Sequence, residues 1–166
     1  PSVLLRMKDE YDGAEPTASS MAVMNLLMLS HLVDEPVERV GPTWTERIER
    51  TLGAFRERLE QLGRGVPMMA AALSTYVAGV QQVVIIEGRE GREGQEGLDR
   101  ALGRRYLPFA IQLRLTSERQ RRLSGSLPFI AAMAPVGGKT SVYVCRDRTC
   151  RAPATAIGDL EGALAS

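Results

Sequence analysis

Trp44, Ile48, Leu52, Phe55, Leu59 and Leu62 recur at steps of four, four, three, four and three, and no other feature constrains the chain as tightly. A 3.6-residue repeat puts all of them on one stripe, so the spacing predicts an amphipathic helix with a single apolar seam. Thr43 and Glu46 stand in the Thr-x-x-Glu relation of a capping box at its start, and Gly63 and Gly65 stand where a left-handed stop belongs. The opposite face carries Glu46, Arg47, Glu49, Arg50, Arg56, Glu57, Arg58 and Glu60. Glu46 with Arg50 and Arg56 with Glu60 are spaced to pair, and this face is expected to be solvated.

Helices are expected on both sides of that seam. From Thr17 to Leu32 the apolar residues cover more than one stripe of a helical wheel, which predicts a helix buried on most sides; Pro16 precedes it, and Asp34, Glu35 and Pro36 follow. A third helix is expected from Pro67 to about Gly79. The texture then changes. Val83-Val84-Ile85-Ile86 is a β-branched run suited to a strand covered on both faces, and Phe109 to Leu115 alternates apolar with polar as a strand with one wet face does. With a helix near Leu98 to Arg105 between them, the two strands predict a βαβ crossover. A strand at Thr140 to Cys145 and a helix near Asp159 to Leu164 complete a small α/β segment over 81–166, following a helical part over 1–80.

Charge and composition remove several function classes. The chain has 21 Lys+Arg against 20 Asp+Glu, a net charge of +1, so nothing favours a nucleic acid or an anionic membrane as partner. An apolar content of 44% argues against disorder, and no apolar run reaches the roughly 18 to 20 residues of a membrane span. The chain opens Pro1-Ser2-Val3 without an initiator Met or a signal-like stretch, so it is expected to be a piece of a longer polypeptide and to be cytoplasmic.

Several motifs invite chemistry and are better read plainly. Gly138-Lys139-Thr140 resembles the tail of a P-loop, but Met133 occupies the place of the first Gly and β-branched residues follow, so a hairpin turn is expected instead of a nucleotide site. Gly88, Gly91, Gly94 and Gly97 follow a strand, yet their spacing is not Gly-x-Gly-x-x-Gly and Glu87, Glu90, Glu93 and Glu96 would repel a pyrophosphate. A mobile solvated loop is expected there. Cys145 and Cys150 flank Arg146-Asp147-Arg148-Thr149. Two separate structural thiols are the leading reading, with Arg146, Arg148 and Arg151 at hand to stabilise a thiolate; a disulfide across the turn is the alternative. Zinc would need ligands from elsewhere, since the single His, His31, is in the helical part and reads as a packed or capping residue, and no metal or other cofactor is expected.

Asp9-Glu10-Tyr11-Asp12-Gly13-Ala14-Glu15-Pro16 is the stretch with most chemical content. Carboxylates and a Tyr in a non-helical segment could line a pocket, one carboxylate serving as general acid or base as in sugar chemistry. The simpler and preferred reading is that Asp12 and Glu15 complement the unpaired N–H groups of the helix that follows.

Tyr11-Asp12-Gly13-Ala14-Glu15-Pro16 followed by Asn25-Leu26-Leu27, together with Pro67-Met68-Met69, the strand Val83 to Ile86 and the ending Tyr143-Val144-Cys145 with Cys150 and Pro153, resembles the C-terminal portion of the spermatogenesis-associated, thioredoxin-containing proteins and their uncharacterised bacterial relatives. Where that family reads Pro-Ser-Gly-Asn-Ser, this chain has Pro16-Thr17-Ala18-Ser19-Ser20. The resemblance implies an α+β fold made of the closing helices of an (α/α)6 toroid, like those of sugar epimerases and six-hairpin glycosidases, and then the small α/β segment. It implies two readings of function. In one, the toroid binds or processes a carbohydrate-like ligand, with Asp12 and Glu15 as catalytic carboxylates and Tyr11 and Glu10 as ligand-binding residues. In the other, the chain is a non-catalytic client-binding or scaffold module serving the thioredoxin-like domain. The expected partners are a sugar-like small molecule, the missing N-terminal part of the same protein, or a second copy, because a few helices of a ring leave an apolar flank.

Overall fold

A computed structural model describes residues 10–34, 41–89, 92–147 and 149–165. It divides into two compact units, Pro1–Ala78 and Gly79–Ser166, and its mixture of helices with a small mixed sheet makes the fold α+β. Pro1 to Asp9 and Glu35 and Pro36 lie outside the described residues, as do Glu90, Gly91 and Arg148.

The first unit consists of α1 (Ala18–Leu32), α2 (Trp44–Ala54), α3 (Arg56–Leu62) and α4 (Pro67–Ala78). Thr17 caps α1, its hydroxyl accepting from the Ser20 N–H at 3.1 Å. The capping box of α2 forms in full, Thr43 Oγ1 accepting from the Glu46 N–H at 3.0 Å and Glu46 Oε2 accepting from the Thr43 N–H at 2.6 Å. The seam is not one helix, however. Phe55 leaves helical geometry at φ −96° and ψ 3°, and its N–H is shared between Leu52 O at 3.1 Å and Thr51 O at 3.2 Å. Ile48, Leu52 and Phe55 are buried, whereas Leu62 is 53% exposed, so the seam reaches solvent at its end. Gly63 is right-handed and begins a 3-10 turn, Gly63–Gly65, in place of the expected left-handed stop.

Packing of α1 against α2 and α4 builds a core of Val23, Leu27, Ile48, Leu52, Phe55, Val66, Met69 and Ala72. Only one side of α1 is fully covered within this unit: Met21 and Leu29 are exposed, although the sequence suggested burial on most sides. Helix α4 starts with Pro at its first position and ends at Gly79, whose φ of +76° only glycine adopts readily. His31 Nδ1 donates to Leu27 O at 2.8 Å, an arrangement that closes the last turn of α1.

The second unit is a four-stranded mixed sheet in the order β2-β1-β3-β4, with β1 Gln81–Ile86, β2 Ala110–Leu115, β3 Ser141–Arg146 and β4 Thr149–Cys150. Strands β1 and β2 are parallel, paired from Gln81↔Ala110 to Ile86↔Leu115, and α5 (Arg92–Gly103) makes the crossover between them. Strand β3 runs antiparallel to β1, so β1 is central, and all six of its residues are buried. One sheet face, with Val83, Ile85, Val142 and Val144, packs on Leu98 and Leu102 of α5 and on Leu160 and Ala163 of α7 (Ile157–Leu164). Val84 and Ile86 alternate to the other face and are equally buried. Helix α6 (Ser117–Leu123), absent from the sequence expectation, is capped by Thr116, whose hydroxyl accepts from the Arg119 N–H at 3.2 Å.

The described part of the glycine-rich stretch includes helix, where its composition suggests a loop. Helix α5 begins at Arg92, inside the Gly-Arg-Glu repeat, and Gly97 on it lies against Ile157. Gly88 packs on the turn at 137–140: its N–H donates to Thr140 Oγ1 at 3.1 Å, and the Arg89 N–H donates to Gly138 O at 2.8 Å. That turn is a hairpin, with a bridge between Val136 and Lys139 and with Gly137 and Gly138 at φ +59° and +76°. Two successive positive φ values suit the twist of a tight hairpin and explain the Gly-Gly pair without a phosphate.

Candidate functional site

The acidic turn owes its shape to one carboxylate. Asp12 Oδ1 accepts from the Thr17 N–H at 2.8 Å, while Oδ2 accepts from the N–H groups of Met68 at 2.8 Å and Met69 at 3.3 Å. Asp12 thereby caps the first turn of α4 from a position 56 residues earlier in the chain, satisfying donors that the helix itself cannot. Its backbone follows, the Asp12 N–H donating to Gly65 O at 2.9 Å, and the Gly13 N–H donates to Glu15 O at 3.1 Å. Partial burial alone would raise the Asp12 pKa, but hydrogen bonds from the Thr17 backbone, the Ser20 side chain and the Met69 and Met68 backbones outweigh it and hold the carboxyl below the usual value. A group so held remains ionised and has its lone pairs occupied.

Glu10, Tyr11 and Glu15 are placed differently. They line a hollow of about 430 Å³ together with Gly13, Pro16 and Thr17, and Asp12 is not among the lining residues. Tyr11 is 51% exposed and Glu15 is exposed. The Tyr11 ring is backed by Arg58, whose guanidinium lies 5.9 Å from its centroid and 5.6 Å from that of Phe55, while Arg58 also pairs with Glu10. Gly65 lies under the same ring, where a Cβ would come within 3.2 Å of Tyr11 Cδ1. Arg58 was expected on a solvated face, yet its side chain is only 26% exposed. Its three-residue spacing from Phe55 is the sequence signal that marks it. Arg56 and Glu60 on the same helix do pair at the surface, at 2.8 Å.

Cys145 and Cys150, first expected as two separate thiols, are joined in a disulfide between register partners of β3 and β4. Six residues lie within the ring it closes. Constraining that short loop in the unfolded chain is worth about 2 kcal/mol. Urea unfolding with and without reductant is expected to differ by about that amount, and coincident curves would show that the cross-link contributes nothing. Arg146 and Arg151 flank it on the exposed surface. Among the described residues, no group of three or more His, Cys, Asp or Glu is placed to hold a metal ion, and no helix is long and apolar enough to cross a membrane.

An α+β protein with an aromatic, acidic hollow on its helical unit is thus the class that the structure defines. No family model matches the chain, and no solved structure does. It is similar to spermatogenesis-associated protein 20, at 29% identity over 91% of this chain for the Homo sapiens protein and 30% over 91% for that of Rattus norvegicus, each match covering 18% of the relative. An uncharacterized protein of Caenorhabditis elegans is 33% identical over 96% of this chain, a match that covers 20% of that relative. The chain thus spans about a fifth of the length of the curated relatives it matches.

Proposed function

We propose that the hollow lined by Glu10, Tyr11 and Glu15 binds a carbohydrate-like ligand, and that the helical unit contributes this edge to a larger ring of paired helices of the (α/α)6 kind. The half-exposed Tyr11 ring beside two carboxylates is the observation that carries this reading. A flat aromatic face suits the apolar side of a sugar ring, and carboxylate oxygens accept from its hydroxyls. In this reading Asp12 is a positioning residue, since its oxygens are given to backbone N–H groups, and Glu15, exposed on the wall of the hollow, is the carboxylate that receives a hydroxyl. The greater length of the relatives and the exposed Met21 and Leu29 on α1 support the presence of further helices around this unit. The N-terminal part of such a longer protein is then the main partner of this surface.

Titration calorimetry of the protein with a panel of monosaccharides and disaccharides tests the reading. One or more sugars are expected to bind saturably, with Tyr11→Ala and Glu15→Gln each weakening the binding about tenfold, or about 1.4 kcal/mol. Failure of every sugar to bind the unmodified protein, or binding that neither substitution changes, removes the carbohydrate reading and leaves a client-binding or scaffold role.

A further inference from the structure

Strand register lines up Ala110, Gln81, Arg146 and Thr149 in one row across the end of the sheet. Side chains alternate along each strand, so this row shares a face with Val83 and Val144, the face on which α5 and α7 pack. Arg151 joins it, because its N–H donates to Val144 O at 3.0 Å and places it opposite Val144. Arg146 and Arg151 are therefore diagonal neighbours on one face, close enough to share one anionic group. Cys145 and Cys150, one residue out of step, belong to the opposite face.

Two hollows open on this row, of about 530 Å³ and about 180 Å³, and Gln81 and Arg146 line both. Arg151 and Asp147 stand in the walls of the larger, which are thus net positive, and Leu107 and Phe109 in those of the smaller. Arg146 and Arg151 are exposed, and among the described residues neither is held in an ion pair. Gln81 is only 7% exposed, yet among the described residues no hydrogen bond occupies its side-chain amide, and that amide is not sealed off from the hollows. A carboxamide taken so far out of water ordinarily has a partner, since leaving it without one costs free energy. At the floor of two joined hollows, the missing partner is a molecule that enters them.

We infer that this end of the sheet binds a small organic anion with an apolar body. Its carboxylate or phosphate oxygens accept from the Arg146 and Arg151 guanidinium groups and from the Gln81 amide nitrogen, an arrangement suited to the planar fork of arginine. Its body extends from the larger hollow into the smaller, against Leu107 and Phe109. The larger hollow alone has the volume of an ordinary small-molecule site. All of these residues belong to the second unit, so the inference is independent of the reading given to the acidic turn.

Benzoate, phenyl phosphate, benzyl alcohol and inorganic phosphate are the probes, titrated into the isotope-labelled protein and followed by amide NMR. Benzoate, phenyl phosphate or both are expected to bind saturably and to shift the Gln81 side-chain amide signals, and the stronger of the two identifies the anionic group. Benzyl alcohol lacks the charge and inorganic phosphate the apolar body, and each is expected to bind at least about tenfold more weakly. Replacing Arg146 and Arg151 together by Gln is expected to weaken the anion about tenfold. Gln81→Met is expected to weaken it about fivefold and to leave the thermal midpoint unchanged or raised, because an apolar side chain of similar shape then replaces an amide that bonds nothing in the protein. A lowered midpoint in Gln81→Met would show that the amide serves the fold, and overturns the inference. So do the failure of both aromatic anions to bind, benzyl alcohol binding as well as they do, and an affinity that neither variant changes.

Discussion

Asp12→Ala is expected to lower the unfolding free energy of the helical unit by about 3 kcal/mol, since hydrogen bonds to a charged acceptor contribute about 1.5 to 3 kcal/mol and the donors left behind lie at a partly buried helix end. Thr17, Met68 and Met69 all lose their acceptor together. Trp44, the single Trp of the chain, lies on α2 and makes urea unfolding of this unit readable by fluorescence. The same carboxylate sets a pH dependence. Its folded pKa is depressed below the ordinary value of an unfolded carboxyl, so its contribution is complete above that value and is lost as pH falls through the lower folded pKa. Between pH 7 and pH 5 the difference in stability between the unmodified protein and Asp12→Asn is expected to be constant, and it should shrink only below about pH 4. A difference that already shrinks between pH 7 and pH 5, or an alanine variant within about 0.5 kcal/mol of the parent, would remove Asp12 as the clamp.

A comparable effect is expected in the other unit from Gly88→Ala. The added Cβ would lie 2.4 Å from Gly138 O, Lys139 C and Thr140 N, which are backbone atoms of a tight hairpin and cannot turn away as a side-chain end can. Overpacking of this kind costs about 1 to 3 kcal/mol, and the rigid neighbours put Gly88→Ala near the upper figure. Thermal unfolding followed by circular dichroism, with amide exchange at Arg89 and Lys139, distinguishes the expected loss from a harmless change. Unaltered exchange at both amides would mean that the loop and the hairpin do not bear on each other.

The elements that the sequence disclosed are those whose covering partners lie on a regular period. The seam from Trp44, the β-branched run at Val83 to Ile86 and the alternation before Leu115 each follow a repeat that the backbone imposes. Local geometry was harder to see. Phe55 interrupts the seam without disturbing the spacing of its apolar residues, because a single non-helical residue leaves the stripe nearly in line. Helix α5 starts at Arg92, before the expected Leu98, because glycines hide its first turn, although Leu98, Ala101 and Leu102 carry a helical period. Helix α6 has seven residues, too few for a period to show, and only the Thr116 cap announces it. Within the candidate site, the sequence drew attention to Glu10, Tyr11, Asp12 and Glu15 but not to how they divide. What separates Asp12 from the others is a set of backbone N–H groups on α4, and a backbone group has no side-chain signature to read.

The far edge of the sheet has a consequence for association. Among the described residues, the two residues of β4 and a bridge between Val142 and Ala154 lie beyond β3, and the Cys145–Cys150 link fastens the short strand in place. An extended chain arriving from another molecule finds no continuous ladder to join on that side, because the hydrogen-bonding groups there are already shared with a stub and a crossing segment. Growth of the sheet by edge-to-edge addition is therefore blocked at β3 while the stub stays fastened. Opening the sulfur link would loosen a barrier to self-association as well as a local turn.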